Sequence, residues 1–174
     1  NQMKNHSIDT NLINISNVYN INRLGISDSF ERGGSLTIGA NYKKEKINEN
    51  SKYDKNNEKI EDFFEFKIAT VLRNKEEKNI STASTINKKN SNIFGQINYN
   101  MSEYIALNYD FSIDNDFKTF EYNSIDTTLK YKNFSTQISY LEKNGSVGNL
   151  AVIENTSKYE FDKNNSILFK TRRD

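Results

Sequence analysis

Residues 104–113 read Tyr104-Ile-Ala-Leu-Asn-Tyr-Asp-Phe-Ser-Ile113, and this stretch decides the fold class. Ile105, Leu107, Tyr109, Phe111 and Ile113 alternate with Ala106, Asn108, Asp110 and Ser112. On an α-helix, residues two apart point roughly 200° from one another, so the five large apolar side chains would scatter around the axis. On an extended strand they share one face, and the small or polar residues share the other. Asn and the β-branched residues are also weak helix formers. The segment is therefore expected to be a strand with one apolar side.

The same period appears on both flanks. After Gly33 and Gly34, the residues Leu36, Ile38, Ala40 and Tyr42 alternate with Thr37, Gly39 and Asn41. Residues 62–72 place Phe64, Phe66, Ile68, Thr70 and Leu72 on one side, although Phe63, Ala69 and Val71 make the other side mixed. Residues 93–99 alternate, and 119–131 end on Ile125, Thr127, Leu129 and Tyr131. Phe134, Thr136, Ile138 and Tyr140 continue the pattern after a turn at Lys132 and Asn133, and two more strands are expected at 150–161 and 167–171. Asp114 to Asp116 mark one turn; Asn144 and Gly145, which tolerate positive φ, mark another. The expectation is an all-β antiparallel meander of about seven or eight strands. Two stretches resist this reading. Residues 43–61 are almost entirely Lys, Glu, Asn, Asp and Ser and read as a long exposed loop. Residues 73–92 are polar and indistinct, with a thin candidate crossing at 79–87 on Ile80, Thr82, Ser84 and Ile86.

Composition agrees with strands. Hydrophobic residues are 34% of the 174 and mean hydropathy is −0.84, yet 11 Phe and 10 Tyr are more aromatics than a disordered chain carries. Proline is absent, where an average chain of this length holds roughly eight, and strand interiors exclude proline because it removes a ladder donor. The formal charge of +1 gives no pull toward nucleic acid. The short basic cluster Lys43, Lys44 and Lys46 is interrupted by Glu45 and reads as solvated. Without cysteine there is no disulfide framework and no thiolate nucleophile.

No stretch approaches the roughly 20 apolar residues of a membrane helix, but barrel strands need only about 9–11 residues with one apolar face. An apolar face could equally pack on a second sheet in a soluble protein. Tyr104, Tyr109, Tyr122, Tyr131 and Tyr140, read as lying near strand ends or on the outward face, favour the membrane, because such barrels carry aromatic girdles at both interfaces. On that reading Ile105, Leu107, Tyr109, Phe111 and Ile113 face lipid, and Asn108 and Asp110 line a wet lumen.

No enzyme site is expected. His6 is the single histidine and has no cysteine near it. Asp114 and Asp116 could approach each other across Asn115, but a cation loop needs several further oxygen ligands, and a solvated turn is the simpler reading. Gly33 and Gly34 precede a strand, which argues against a phosphate cradle. No cofactor is implied.

Serial order then suggests a family. Asp9-Thr-Asn-Leu12, Asn22-Arg23, and Asp28-Ser-Phe-Glu-Arg-Gly-Gly34 leading into the strand at 36–42 resemble the C-terminal barrel domain of the lipopolysaccharide-assembly protein family LptD (OstA/Imp). Ser91-Asn-Ile-Phe-Gly95 through Tyr99, then Ile105 through Asp114, resemble a second block of that family. Two departures stand out: Ala69-Thr-Val-Leu-Arg73 in place of a Gly-Gln-x-Tyr-Arg pattern, and Asn100-Met101 where the family has Ser-Pro.

The resemblance implies an outer-membrane barrel of about 26 strands. It would be plugged by a lipoprotein of the LptE type, receive lipopolysaccharide from periplasmic bridge proteins and release it into the outer leaflet, with outer-membrane lipids around it. Residues 1–174 would be part of that domain, with 1–32 as a loop or luminal segment. Asp28, Glu31 and Arg32 would sit where a luminal loop enters the barrel, holding that entry or touching a partner. Short turns at 100–103, 132–133 and 162–165 are expected on the periplasmic side, with 114–118 and 143–149 outside. Placing 43–61 outside as well would require the extra crossing at 79–87. A generic porin-like or adhesin-anchoring barrel and a soluble surface-binding β-sheet domain are the alternatives.

Overall fold

The computed structural model describes residues 12–25, 31, 33–47, 60–101 and 104–174. Eight strands form one sheet: β1 (Ser35–Ile47), β2 (Ile60–Arg73), β3 (Asn90–Met101), β4 (Ile105–Ile113), β5 (Phe120–Tyr131), β6 (Phe134–Lys143), β7 (Leu150–Glu160) and β8 (Ser166–Arg173). Each pairs antiparallel with its chain neighbours in the order β1 to β8, an all-β meander. β1 and β8 are the two edges of this sheet among the described residues.

The alternating segments became strands because each apolar residue lies opposite another across the ladder, where cross-strand pairs stabilise a sheet. Tyr42 faces Phe66, which faces Ile97, then Tyr109, Ile125, Tyr140 and Ile153. Bulges at Lys46/Ile47, Thr70/Leu72 and Ser112/Ile113 adjust the register near strand ends. Lys132 takes φ 51°, the positive angle that a two-residue hairpin loop requires between Tyr131 and Phe134.

Three expectations need correction. Strand β1 runs on through Lys43 to Ile47, five residues into the expected loop, and β2 starts at Ile60. Lys43 pairs with Glu65 and Lys44 with Phe64, and the Lys43 ammonium sits 5.3 Å from the Phe63 ring, so the charged side chains border aromatic ones while the backbone stays in the ladder. No strand forms at 79–87. That stretch holds turns and a 3₁₀ turn (Thr82–Ser84), and Thr85 at its end has φ 61°, which breaks any extended run. Without that crossing, the start of β2 lies at the same end of the sheet as the short turns. At the 143–149 connection, Gly145 takes φ 62° while Asn144 stays extended at φ −138°.

Among the described residues the core cluster lies on one face of the sheet. Ile13, Ile15, Val18 and Leu24 from the N-terminal segment and Ile80 and Ile86 from the β2–β3 connection pack on Ala69, Val71 and Phe94. The segment holds its shape by local bonds. The Asn14 side chain accepts from the Ser16 amide at 2.9 Å, and the Val18 amide donates to the Asn14 carbonyl at 2.9 Å. Burying each of these Ile, Leu and Val side chains contributes about 1.5–3 kcal/mol gross.

Candidate functional site

The ladder assigns every side chain to one of two faces, because directly opposed residues share a side. The first face, called outer here, carries Leu36, Ile38, Ala40 and Tyr42 of β1, and Phe64, Phe66 and Ile68 of β2. It continues through Ile93, Ile97 and Tyr99 of β3 to Ile105, Leu107, Tyr109, Phe111 and Ile113 of β4, then Ile125, Leu129 and Tyr131 of β5. The same face continues through Ile153 of β7 to Ile167 and Phe169 of β8, and many of its residues are exposed, among them Leu36, Ile38, Tyr42, Leu129, Tyr131, Ile153, Ile167 and Phe169. So large an apolar expanse is unusual on a monomeric soluble protein.

Aromatic side chains gather at the short-turn end of this face. Tyr42, Phe64 and Tyr99 form a chain with ring centroids 6.2 and 6.3 Å apart, and Tyr104, Tyr131, Phe134, Tyr159 and Phe161 occupy strand ends farther along. Tyr109 and Tyr140 lie on the same face nearer the middle. Tyr122 does not. It lies opposite Ser112 and Lys143, on the other face, as its odd spacing from Ile125, Leu129 and Tyr131 requires; the bulge at Ser112/Ile113 lies beyond it and puts Phe120 on the outer face opposite Ile113.

The outer face is interrupted toward β7. The Tyr109 hydroxyl donates to Asn123 Oδ1 at 2.7 Å, and the Asn123 amide donates to Glu142 at 3.1 Å. The Asn155 amide donates to the Thr136 hydroxyl at 2.8 Å, and the Ser157 hydroxyl donates to Asn155 Oδ1 at 3.0 Å. These polar groups satisfy one another, which lowers the cost of placing them on an apolar surface.

The second, inner face is polar. Asn41 and Asn98 both donate to Glu65, at 3.2 and 3.1 Å, Gln96 donates to Asp110 at 2.9 Å, and Asn108 donates to Asp110 at 3.1 Å. The Ser139 hydroxyl donates to Asp126 at 2.5 Å. At the long-loop end, the buried Asn92 amide donates to Ser112 at 3.0 Å and to Glu121 at 2.7 Å. Thus Asn108 and Asp110 lie opposite in facing to Ile105, Leu107, Tyr109, Phe111 and Ile113.

Glu31 pins the N-terminal segment to the inner face. The Arg23 guanidinium donates to it through both Nε and a terminal nitrogen, each at 2.6 Å, and the Arg73 guanidinium donates to the same carboxylate. Arg23 also donates to the Val18 carbonyl at 3.1 Å, Thr37 at 2.9 Å and Ser35 at 2.9 Å. Arg23 and Arg73 are both buried. Burial alone would raise the Glu31 pKa, but the Arg23 hydrogen bond and charge, with the Arg73 charge, outweigh it and hold the carboxyl below its ordinary value. The sequence reading singled out Glu31 but not its two partners, and Asp28 and Arg32 lie outside the described residues. The signal for Arg73 was available: it follows Glu65, Lys67, Ala69 and Val71 at period two, on the inner face.

In the β4–β5 turn, Asp114 accepts from the Lys118 amide at 2.7 Å and the Thr119 amide at 3.1 Å. Asp116 approaches Lys118 at 3.8 Å on the surface. His6 lies outside the described residues.

The architecture defines a class, an all-β antiparallel meander with one apolar and one polar face, the polar face partly covered by the chain's own N-terminal segment. No protein-family model, curated protein or solved structure matches the chain.

Proposed function

We propose that this chain forms part of the wall of an outer-membrane β-barrel that delivers lipopolysaccharide to the outer leaflet. The observation that carries the barrel reading is the separation of faces. Exposed apolar residues spread over one side, and hydrogen-bonded Asn, Gln, Asp and Glu occupy the other, as lipid outside and water inside require. The aromatic residues at the short-turn end supply an interfacial band. In a bilayer the β1 and β8 edges would have to pair with further strands, since open edges are not tolerated in hydrocarbon. The lipopolysaccharide reading rests on the resemblance of the segments around Asp28 to Gly34 and Ile105 to Asp114. Its partners would be lipopolysaccharide, a plug lipoprotein of the LptE type, periplasmic bridge proteins and outer-membrane lipids. Glu31 then anchors a luminal segment to the wall, and no chemical step is needed.

The polar groups at Asn155, Thr136 and Ser157 favour a second reading, a soluble sheet domain whose apolar face packs on another layer. One experiment separates the two. In lipid vesicles, Leu107→Lys should cost about 2–4 kcal/mol of folding stability and Asn108→Lys far less. Equal tolerance at the two positions would remove the lipid-facing assignment. The export reading is tested by depleting the full-length protein in its own cells: surface arrival of newly made lipopolysaccharide should fall before bulk porin abundance does. Undiminished arrival would reject the activity and leave the barrel standing.

A further inference from the structure

Where β4 and β5 end at the short-turn side, a groove of about 900 Å³ opens between Tyr104, Ile105, Leu129, Lys130, Tyr131 and Lys132. That volume is near the upper end of the range for small-molecule pockets, roughly 300–1,000 Å³. Ile105, Leu129 and Tyr131 belong to the outer face, and the Lys130 amide bonds the Tyr104 carbonyl at 2.8 Å, so the ladder itself fixes the groove's two walls. The walls are apolar and the end is cationic. Lys132 sits in the hairpin turn with its ammonium 5.3 Å from the Tyr131 ring centroid, an arrangement that holds the charge at the mouth. Among the described residues the lining includes two lysines and no carboxylate. Glu160, whose amide bonds the neighbouring Asn133 carbonyl, has its carboxylate on Lys158.

An apolar trough ending in positive charge, with no carboxylate among its described lining residues, fits an amphiphile with an anionic head. We infer that this groove binds one anionic glycerophospholipid, its acyl chain along Ile105, Leu129 and Tyr131 and its phosphate at Lys132. The inference rests on the barrel reading, with the short turns toward the periplasm, where the surrounding leaflet is phospholipid. The groove gives that rim a fixed lipid and sets the depth of the strand ends.

The test uses the full-length protein in nanodiscs of phosphatidylcholine with phosphatidylglycerol as the minority lipid. After mild extraction, co-purifying lipid is read by native mass spectrometry. Phosphatidylglycerol should be enriched over its share in the disc. Lys132→Gln should cut that enrichment about fivefold, the effect of one lysine at an anionic surface. Lys132→Arg should retain it, and Lys118→Gln, in a turn at the opposite end, should leave it unchanged. An inserted protein with no enrichment in wild type, or with full enrichment in Lys132→Gln, overturns the lipid site while the barrel stands. Failure of the wild-type protein to enter the discs overturns both.

Discussion

Replacing Glu31 by Gln tests whether one carboxylate secures the N-terminal segment. The substitution keeps the volume and removes the charge that Arg23 and Arg73 share. Breaking a buried ion pair by removing one partner costs about 3–5 kcal/mol, because the other charge stays buried and uncompensated. Arg23 keeps its bonds to Val18, Thr37 and Ser35, so the lower end, about 3 kcal/mol, is expected here. That loss falls on residues 12–25 and not on the ladder. Hydrogen exchange reports it at the Val18 amide, whose protection should drop on the order of 100-fold, while amides in β4 and β5 keep theirs. The pH dependence has a definite sign. Because the folded pKa of Glu31 is depressed from 4.5, its contribution is complete above that value and disappears as pH falls through the lower folded one. Wild-type protection at Val18 should therefore hold at neutral pH and weaken as pH falls below 4.5, whereas Glu31→Gln should lack that transition. Unchanged protection in the variant, or a loss spread evenly over β4 and β5, would refute the reasoning.

Two further changes probe local geometry. Gly95 lies opposite Phe111, and a Cβ added there would collide with the ring, so Gly95→Ala should cost about 1–3 kcal/mol in denaturant titration. Adding Phe111→Leu should recover at least about 0.5 kcal/mol of that cost in a double-mutant cycle, and strict additivity would exclude the clash. Phe117 is 69% exposed with φ 58°, a left-handed conformation that costs a non-glycine residue about 1–2 kcal/mol. Phe117→Gly should raise stability by up to about 1 kcal/mol, measured by the same titration.

Strands were legible wherever apolar residues alternated without a break. The face from Ile105 to Ile113 was read in full, and so was the turn at Lys132 and Asn133. The end of β1 was not, because Lys43 to Lys46 carry no apolar signal of their own; their partners Phe63 and Phe64 lie some twenty residues away. Ile80 and Ile86 misled in the opposite direction. Standing an even number of positions apart, they imitate one strand face, yet both are core residues of a connection that turns at Thr85. Tyr122 belongs to the inner face because it stands three residues before Ile125, and that parity was readable from the alternation of residues 125–131 itself. The Glu31 arrangement needed long-range knowledge: Arg23 and Arg73 come from either side of it in sequence and meet only when β1 and β2 have paired.

That last dependence orders the assembly of the molecule in time. Strands β4 to β8 are joined by connections of a few residues, whose closure costs little entropy, so each hairpin can zip onto the one before it. β1 and β2 must first close the span 48–59, and β2 and β3 the span 74–89. The bond from Arg73 to Glu31 bridges 42 residues and has nothing to join until those closures are complete. Residues 12–25, which precede all eight strands in the chain, are thus among the last of these segments to reach their native place, and until they do the Ala69, Val71 and Phe94 surface stays open to chaperones.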